Sequence, residues 1–97
     1  VGATRVAALV AMARMRLLTR EGAQALALAR EAQQADPGAE GPALVALELL
    51  GSQPQAEQLL TAYFQAKPSS HALRLGYVRE LVSQQRYPLA IAQLEEA

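Results

Sequence analysis

The chain lacks cysteine and tryptophan, and its 97 residues include a single histidine and only 4% aromatic residues. The absence of cysteine excludes disulfide frameworks, thiolate metal sites and cysteine nucleophiles. Nine basic residues balance nine acidic ones, so there is no excess charge that would attract nucleic acid or anionic lipid. No apolar run approaches the roughly 20 residues needed to cross a bilayer. We therefore expect a single domain over residues 1–97 that does not bind nucleic acid and does not insert into a membrane.

What the chain has in quantity is alanine and leucine, within a hydrophobic fraction of 52%. Together with glutamine, glutamate and arginine, these are strong helix formers. Turn-forming residues are confined to short clusters, and no segment alternates with the period of two that is typical of a strand. We therefore predict six helices and no sheet, with short connections that make successive helices antiparallel. The predicted helices lie at about 4–19, 22–35, 42–50, 54–66, 70–84 and 87–97.

Prolines and serines indicate where several helices begin. Pro42, Pro54 and Pro88 are each predicted to lie in a first helical turn, where the missing N–H is tolerated. Ser52, and either Ser69 or Ser70, stand where N-cap residues are expected. These signals fix the starts of the last four helices.

Small residues recur along the even-numbered helices. Ala25, Ala56 and Ala90 are separated by 31 and then 34 residues, and Pro37 and Pro68 each follow twelve residues after the first two. A helical unit of about 34 residues with small residues at fixed points favours stacked hairpins over an up-down bundle.

In this pattern the chain resembles the tetratricopeptide repeat (TPR) family, whose unit is a helix–turn–helix of about 34 residues. The matching residues are Ala13, Ala25, Ala29, Ala32 and Pro37 in the first unit and Val78, Tyr87, Ala90, Leu94 and Ala97 in the third. The resemblance implies an all-α fold of antiparallel helical hairpins stacked as a right-handed superhelix. About three repeats would lie at 6–37, 38–68 and 69–97. The middle unit departs from the pattern, because it is about three residues short and has Tyr63 where the family has alanine.

The resemblance also implies a concave groove lined by the first helix of each hairpin. An apolar strip flanked by two arginines suits an amphipathic helix or an extended segment that carries an acid. The alternatives are that the same side chains pack against a neighbouring helix or against other parts of a longer parent protein, or that the chain self-associates as a homodimer through its uncapped last helix. The groove positions fall on Val10, Arg14, Leu17, Leu75, Arg79 and Val82.

Little in the sequence suggests catalysis. His71 has no other histidine or aspartate nearby, and the adjacent Ser70 does not face it on a helix. Met12 and Met15 are expected to be core residues rather than a soft-metal site. We therefore predict no enzymatic activity, no metal and no cofactor.

The prediction for function is a non-catalytic scaffold that binds another protein or peptide in the groove. The alternative is a structural or regulatory TPR appendage of a larger bacterial protein, either thioredoxin-like or an envelope-assembly lipoprotein, since the chain is expected to be a fragment. Abundant alanine and arginine beside a single lysine are typical of a GC-rich bacterial genome. The compartment stays open between cytoplasm and periplasm.

Overall fold

A computed structural model describes residues 2–96, with side chains from 4 to 95, and Ala97 of the repeat alignment lies outside the described residues. Six α-helices and no strand occur in this range, which confirms the predicted all-α class. We call the pairs α1–α2, α3–α4 and α5–α6 hairpins 1, 2 and 3. The helices are α1 (Gly2–Leu18), α2 (Gly22–Ala35), α3 (Glu40–Leu49), α4 (Ala56–Ala66), α5 (His71–Ser83) and α6 (Tyr87–Glu96).

The predicted helix starts are right at three places and wrong at one. Pro42 and Pro88 lie in the first turns of α3 and α6, and Ser70 is the N-cap residue of α5. The Ser70 hydroxyl makes no capping hydrogen bond to the helix; it accepts a hydrogen bond from the Tyr63 hydroxyl (3.1 Å). Before α4, tight turns occupy residues 50–55, so the helix begins beyond Pro54 and its N-cap is not Ser52.

The helices pack in two layers. Helix α1 contacts α2 and α3, α3 contacts α4 and α5, α2 also contacts α3 and α4, and α5 contacts α6. The Cα atoms span 38 × 27 × 17 Å. The thin dimension fits two layers of helices whose axes are about 8–10 Å apart. The odd-numbered helices therefore lie side by side in one layer, with their hairpin partners beneath.

Alanines fill the contacts between these layers. Ala25, Ala56 and Ala90, which define the sequence repeat, are all buried, and so are Ala13 and Ala32. A side chain of one carbon at these points allows the helices to approach closely. These buried alanines therefore lie where helices meet, and their role there goes beyond helix propensity.

Hairpins 1 and 3 have the same turn. Arg20 and Gln85 lie 65 residues apart, and each has a φ of 61°, in the left-handed region. The N–H of the following residue donates to the carbonyl five residues back, at 2.8 Å after Arg20 and 2.9 Å after Gln85. This is the Schellman arrangement of a helix C-terminus. The repeat between the two hairpins therefore extends to individual hydrogen bonds, whereas hairpin 2 has a longer connection of a different kind.

A polar and aromatic cluster fixes hairpin 3 onto α4. Glu57 accepts hydrogen bonds from the Tyr77 hydroxyl (2.6 Å) and from both terminal nitrogens of Arg86 (2.8 and 3.0 Å). The Phe64 and Tyr77 rings stack, with 5.9 Å between their centres. The buried Arg74 guanidinium lies 4.7 Å from the centre of the Phe64 ring. The hydrogen bonds from Arg86, more than that from Tyr77, lower the pKa of Glu57. Burial of the Tyr77 hydroxyl raises its pKa, and the neighbouring Glu57 carboxylate raises this pKa further.

The prediction that Met12 and Met15 lie in the core is wrong. Both side chains are exposed on α1, whereas Val6, Leu9 and Ala13 of the same helix are buried. The methionines project from the side of α1 that faces away from α2 and α3. Within residues 2–96 no helix packs on that side.

Candidate functional site

An open cleft of about 500 Å³ lies between α1 and the start of α3. Two of the predicted groove residues, Val10 and Arg14, line it. The turn between α2 and α3 supplies the opposite wall. The lining residues are Val6, Ala7, Val10, Ala11, Arg14, Asp36, Ala39 and Gly41.

The contact between Val10 and Gly41 forms the base of this cleft. A methyl group placed on Gly41 would lie 2.9 Å from Val10 Cγ2 and 3.1 Å from Cγ1, so glycine lets the two helices meet here. Val10 also packs beside Val6 and Ala39 in a small apolar cluster under the turn. The cleft is thus an apolar surface supported by the core rather than a gap between loose loops.

Arg14 is the cation of the cleft. Its side chain is exposed, and it makes no ion pair or hydrogen bond with the part of the chain that the structure describes. The two other arginines of α1 differ, because Arg5 pairs with Glu31 and Arg16 pairs with Glu21, each at 3.0 Å. Arg14 can therefore bind an anion from outside without breaking an internal contact.

Asp36 is the acid of the cleft. Its Oδ1 accepts a hydrogen bond from the backbone N–H of Gly38 (3.1 Å), which is the Asx-turn contact expected of an aspartate at this place. This bond holds the carboxylate at the rim while the chain passes through Pro37. The cleft therefore has two charges of opposite sign around an apolar base.

Apart from Arg14 and Asp36, the residues that line the cleft are apolar or glycine. Among residues 2–96 no cluster of three or more His, Cys, Asp or Glu side chains occurs that could hold a metal ion. His71 is exposed at the first position of α5, in another hairpin from the cleft. The absence of enzymatic activity stays a prediction.

The other predicted groove residues do not line this cleft. Leu17 packs against the main core and borders a separate depression of about 400 Å³ with Arg20 and Glu48. Leu75, Arg79 and Val82 lie exposed along one side of α5, and α3 stands between α5 and α1. The six residues therefore form two groups, one at the α1–α3 junction and one on α5.

Two residues that are important here were not identified from the sequence. Gly41 shapes the cleft, and Gly76 makes the same kind of contact between α3 and α5, since its added methyl group would lie 2.7 Å from Leu47 Cδ2. Glycine inside a helix is less stable than alanine by about 0.5–1 kcal/mol. A glycine kept inside the predicted helix 70–84 is therefore a signal that could have indicated the contact at Gly76, whereas Gly41 precedes the predicted helix 42–50 and gave no such signal.

Comparison of the chain with models of known protein families, with curated proteins and with solved structures found no match. None of the six helices, over the residues described, combines the length and the apolar character that a membrane span requires.

Proposed function

We propose that this chain is a non-catalytic interaction domain that binds a peptide or helix of a partner protein in the cleft beside Val10 and Arg14. The observation that carries the proposal is an apolar cleft of about 500 Å³ whose arginine has no partner within the described residues. An apolar pocket with a few polar groups at its edge is the usual form of a binding site.

The proposal includes a TPR-like architecture of three stacked hairpins. Its support is the side-by-side contact of α1, α3 and α5, together with the 65-residue repeat between hairpins 1 and 3. In such a stack the odd-numbered helices form one continuous surface. A ligand that begins in the cleft would continue over α3 toward Leu75, Arg79 and Val82.

The charges of the cleft define the chemistry of the ligand. Arg14 would pair with a ligand carboxylate, and Asp36 would favour an amide or a basic group next to it. The side chains of Val10 and Ala11 would contact an apolar residue between these polar groups. The favoured ligand is therefore a segment with a leucine-like residue close to a single glutamate or aspartate.

The test uses fluorescein-labelled, leucine-rich peptides of about ten residues, each with one glutamate, and matched peptides with glutamine instead. A hydrogen bond to a charged group contributes about 1.5–3 kcal/mol, so the variant Arg14→Glu should lower affinity for the glutamate peptides by about tenfold or more. Arg30→Glu is the matched control, because Arg30 is an exposed arginine on α2, outside the cleft.

Fluorescence anisotropy measures the affinity of the unmodified chain and of each variant for the glutamate and glutamine peptides. Circular dichroism verifies that the substitutions leave helicity unchanged. Equal losses for Arg14→Glu and Arg30→Glu, or equal affinity for glutamate and glutamine peptides, would refute the cleft as the site. Arg79→Glu tests the continuation of the groove onto α5, because it weakens binding only if the ligand reaches that helix.

A further inference from the structure

Hairpins 1 and 3 repeat each other, but their corresponding faces are not equally covered. Four apolar residues of hairpin 3 form what we call the α5–α6 face: Leu75, Val82, Ile91 and Leu94. Their side chains are 46–54% exposed. Their counterparts 65 residues earlier are all buried or partly buried: Val10, Leu17, Leu26 and Ala29.

The difference comes from the neighbouring hairpin. Hairpins 1 and 3 have the same internal turn, so residues 65 apart occupy equivalent places within the two hairpins. Hairpin 2 packs on hairpin 1, with α3 against α1 and α2, and α4 against α2. Among the residues described, no helix packs in that way on hairpin 3.

The opposite end of the stack shows the complementary pattern. Four residues form what we call the α1 face: Ala8, Ala11, Met12 and Met15. All four are exposed. Their counterparts 65 residues later, on α5, are covered by hairpin 2: Leu73, Gly76, Tyr77 and Glu80. The clearest pair is Met12, which is 48% exposed, and Tyr77, which is 1% exposed.

Contacts within the stack show how such faces fit together. Val10 of α1 lies over Gly41 of α3, and Leu47 of α3 lies over Gly76 of α5. In both cases a branched aliphatic side chain of one odd-numbered helix covers a small residue of the next. The α5–α6 face offers aliphatic side chains of this kind, such as Leu75, and the α1 face offers small residues, such as Ala11.

We infer that the α5–α6 face binds the α1 face of a second copy of this chain, so that copies associate head to tail. The charges agree with this orientation. Of the three arginines of α1, Arg14 has no partner within the described residues, whereas α6 carries two glutamates and no base. A symmetric pairing of two α6 helices would instead bring the glutamates of both copies together. Contact between unlike faces adds copies head to tail, into open chains or closed rings, rather than into a two-fold symmetric dimer.

The experiment uses sedimentation velocity on the 97-residue chain and on two single variants. Met12→Asp places a charge on the α1 face, and Ile91→Asp places one on the α5–α6 face. Ala27→Asp is the matched control, because Ala27 is exposed on α2 and belongs to neither face. Concentrations run from about 10 μM to 1 mM, a range that covers weak associations.

The expected result is that the average mass of the unmodified chain and of Ala27→Asp rises with concentration, whereas each face variant alone stays monomeric. An equal mixture of Met12→Asp and Ile91→Asp should form a two-chain species and nothing larger, because each variant keeps the one face that the other lacks. Circular dichroism verifies that both variants are folded.

Three results would overturn the inference. The unmodified chain could stay monomeric at 1 mM, which would exclude self-association in this range. Met12→Asp alone could associate as strongly as the unmodified chain, which would indicate a symmetric contact through α6. The mixture of the two variants could show no two-chain species, which would exclude pairing between the two faces.

Discussion

Replacing Gln85 or Arg20 by glycine should stabilise the protein. Both residues have a φ of 61°, a conformation in which a side chain other than glycine is disfavoured by roughly 1–2 kcal/mol. Both lie at the point of a Schellman turn where helices most often have glycine. Each substitution therefore relieves steric strain at a position where glycine is the preferred residue.

The expected gain is smaller than the full strain. Glycine loses more conformational freedom on folding than other residues, which offsets roughly 0.5–1 kcal/mol of the benefit. The net stabilisation is then about 0.5–1 kcal/mol for each site, or roughly 2–8 °C in melting temperature for a domain of this size. Because the two turns belong to different hairpins, the double variant should show nearly the sum of the two gains.

Thermal unfolding followed by circular dichroism measures this effect, with Ala27→Gly as the control. Ala27 is exposed in the interior of α2, where glycine should destabilise by about 1 kcal/mol. The reasoning fails if Gln85→Gly lowers the melting temperature as Ala27→Gly does. If Arg20→Gly and Gln85→Gly shift stability in opposite directions, the two turns are not equivalent and the repeat between hairpins 1 and 3 does not extend to them.

Two further predictions concern the helix contacts. Ala25→Leu and Ala90→Leu should each destabilise the fold by about 1–3 kcal/mol through overpacking, whereas the exposed Gln24→Leu should not, and equal melting temperatures for the three would contradict the repeat. Tyr77→Phe removes a hydrogen bond to the Glu57 carboxylate and should cost about 1.5–3 kcal/mol at pH 7 by urea denaturation. The pKa of Glu57 is lowered by folding, so its stabilising effect is present above the unfolded pKa of about 4.3 and is lost as pH falls through the folded value. The effect of Tyr77→Phe should therefore shrink as Glu57 becomes protonated, below the unfolded pKa of about 4.3, and an effect that is constant with pH would exclude the charged pairing.

The helices were predictable because the signals that define them are local. Breakers such as Pro37 and Pro68, and runs of strong helix formers between them, depend only on neighbours in sequence. The error at Ser52 is also local, because a serine signals a cap only where the following residues enter the helix directly. The turns at 50–55 delay that entry to Ala56.

The positions of Met12 and Met15 were not predictable in this way. An apolar stripe shows that a helix has a buried side, but a wide stripe does not show where burial ends. In α1 the buried side ends at Val6, Leu9 and Ala13, because α2 and α3 cover only that part of the surface. The decisive information is which helices are neighbours, and that depends on contacts between distant parts of the chain.

The same reason limits what the repeat can say about binding residues. Val10 and Leu75 occupy equivalent points 65 residues apart, yet Val10 supports a cleft against Gly41 while Leu75 is half exposed. Groove binding and internal packing, which the sequence leaves as alternatives, are not exclusive at Val10, since its side chain packs on α3 and also lines the cleft. In a stack of hairpins, the neighbouring hairpin decides whether a residue at a given repeat position is covered or exposed. The role of a repeat position is therefore set by its neighbour, so the proposed binding site rests on the cleft and on Arg14, which has no partner within the described residues, rather than on the register alone.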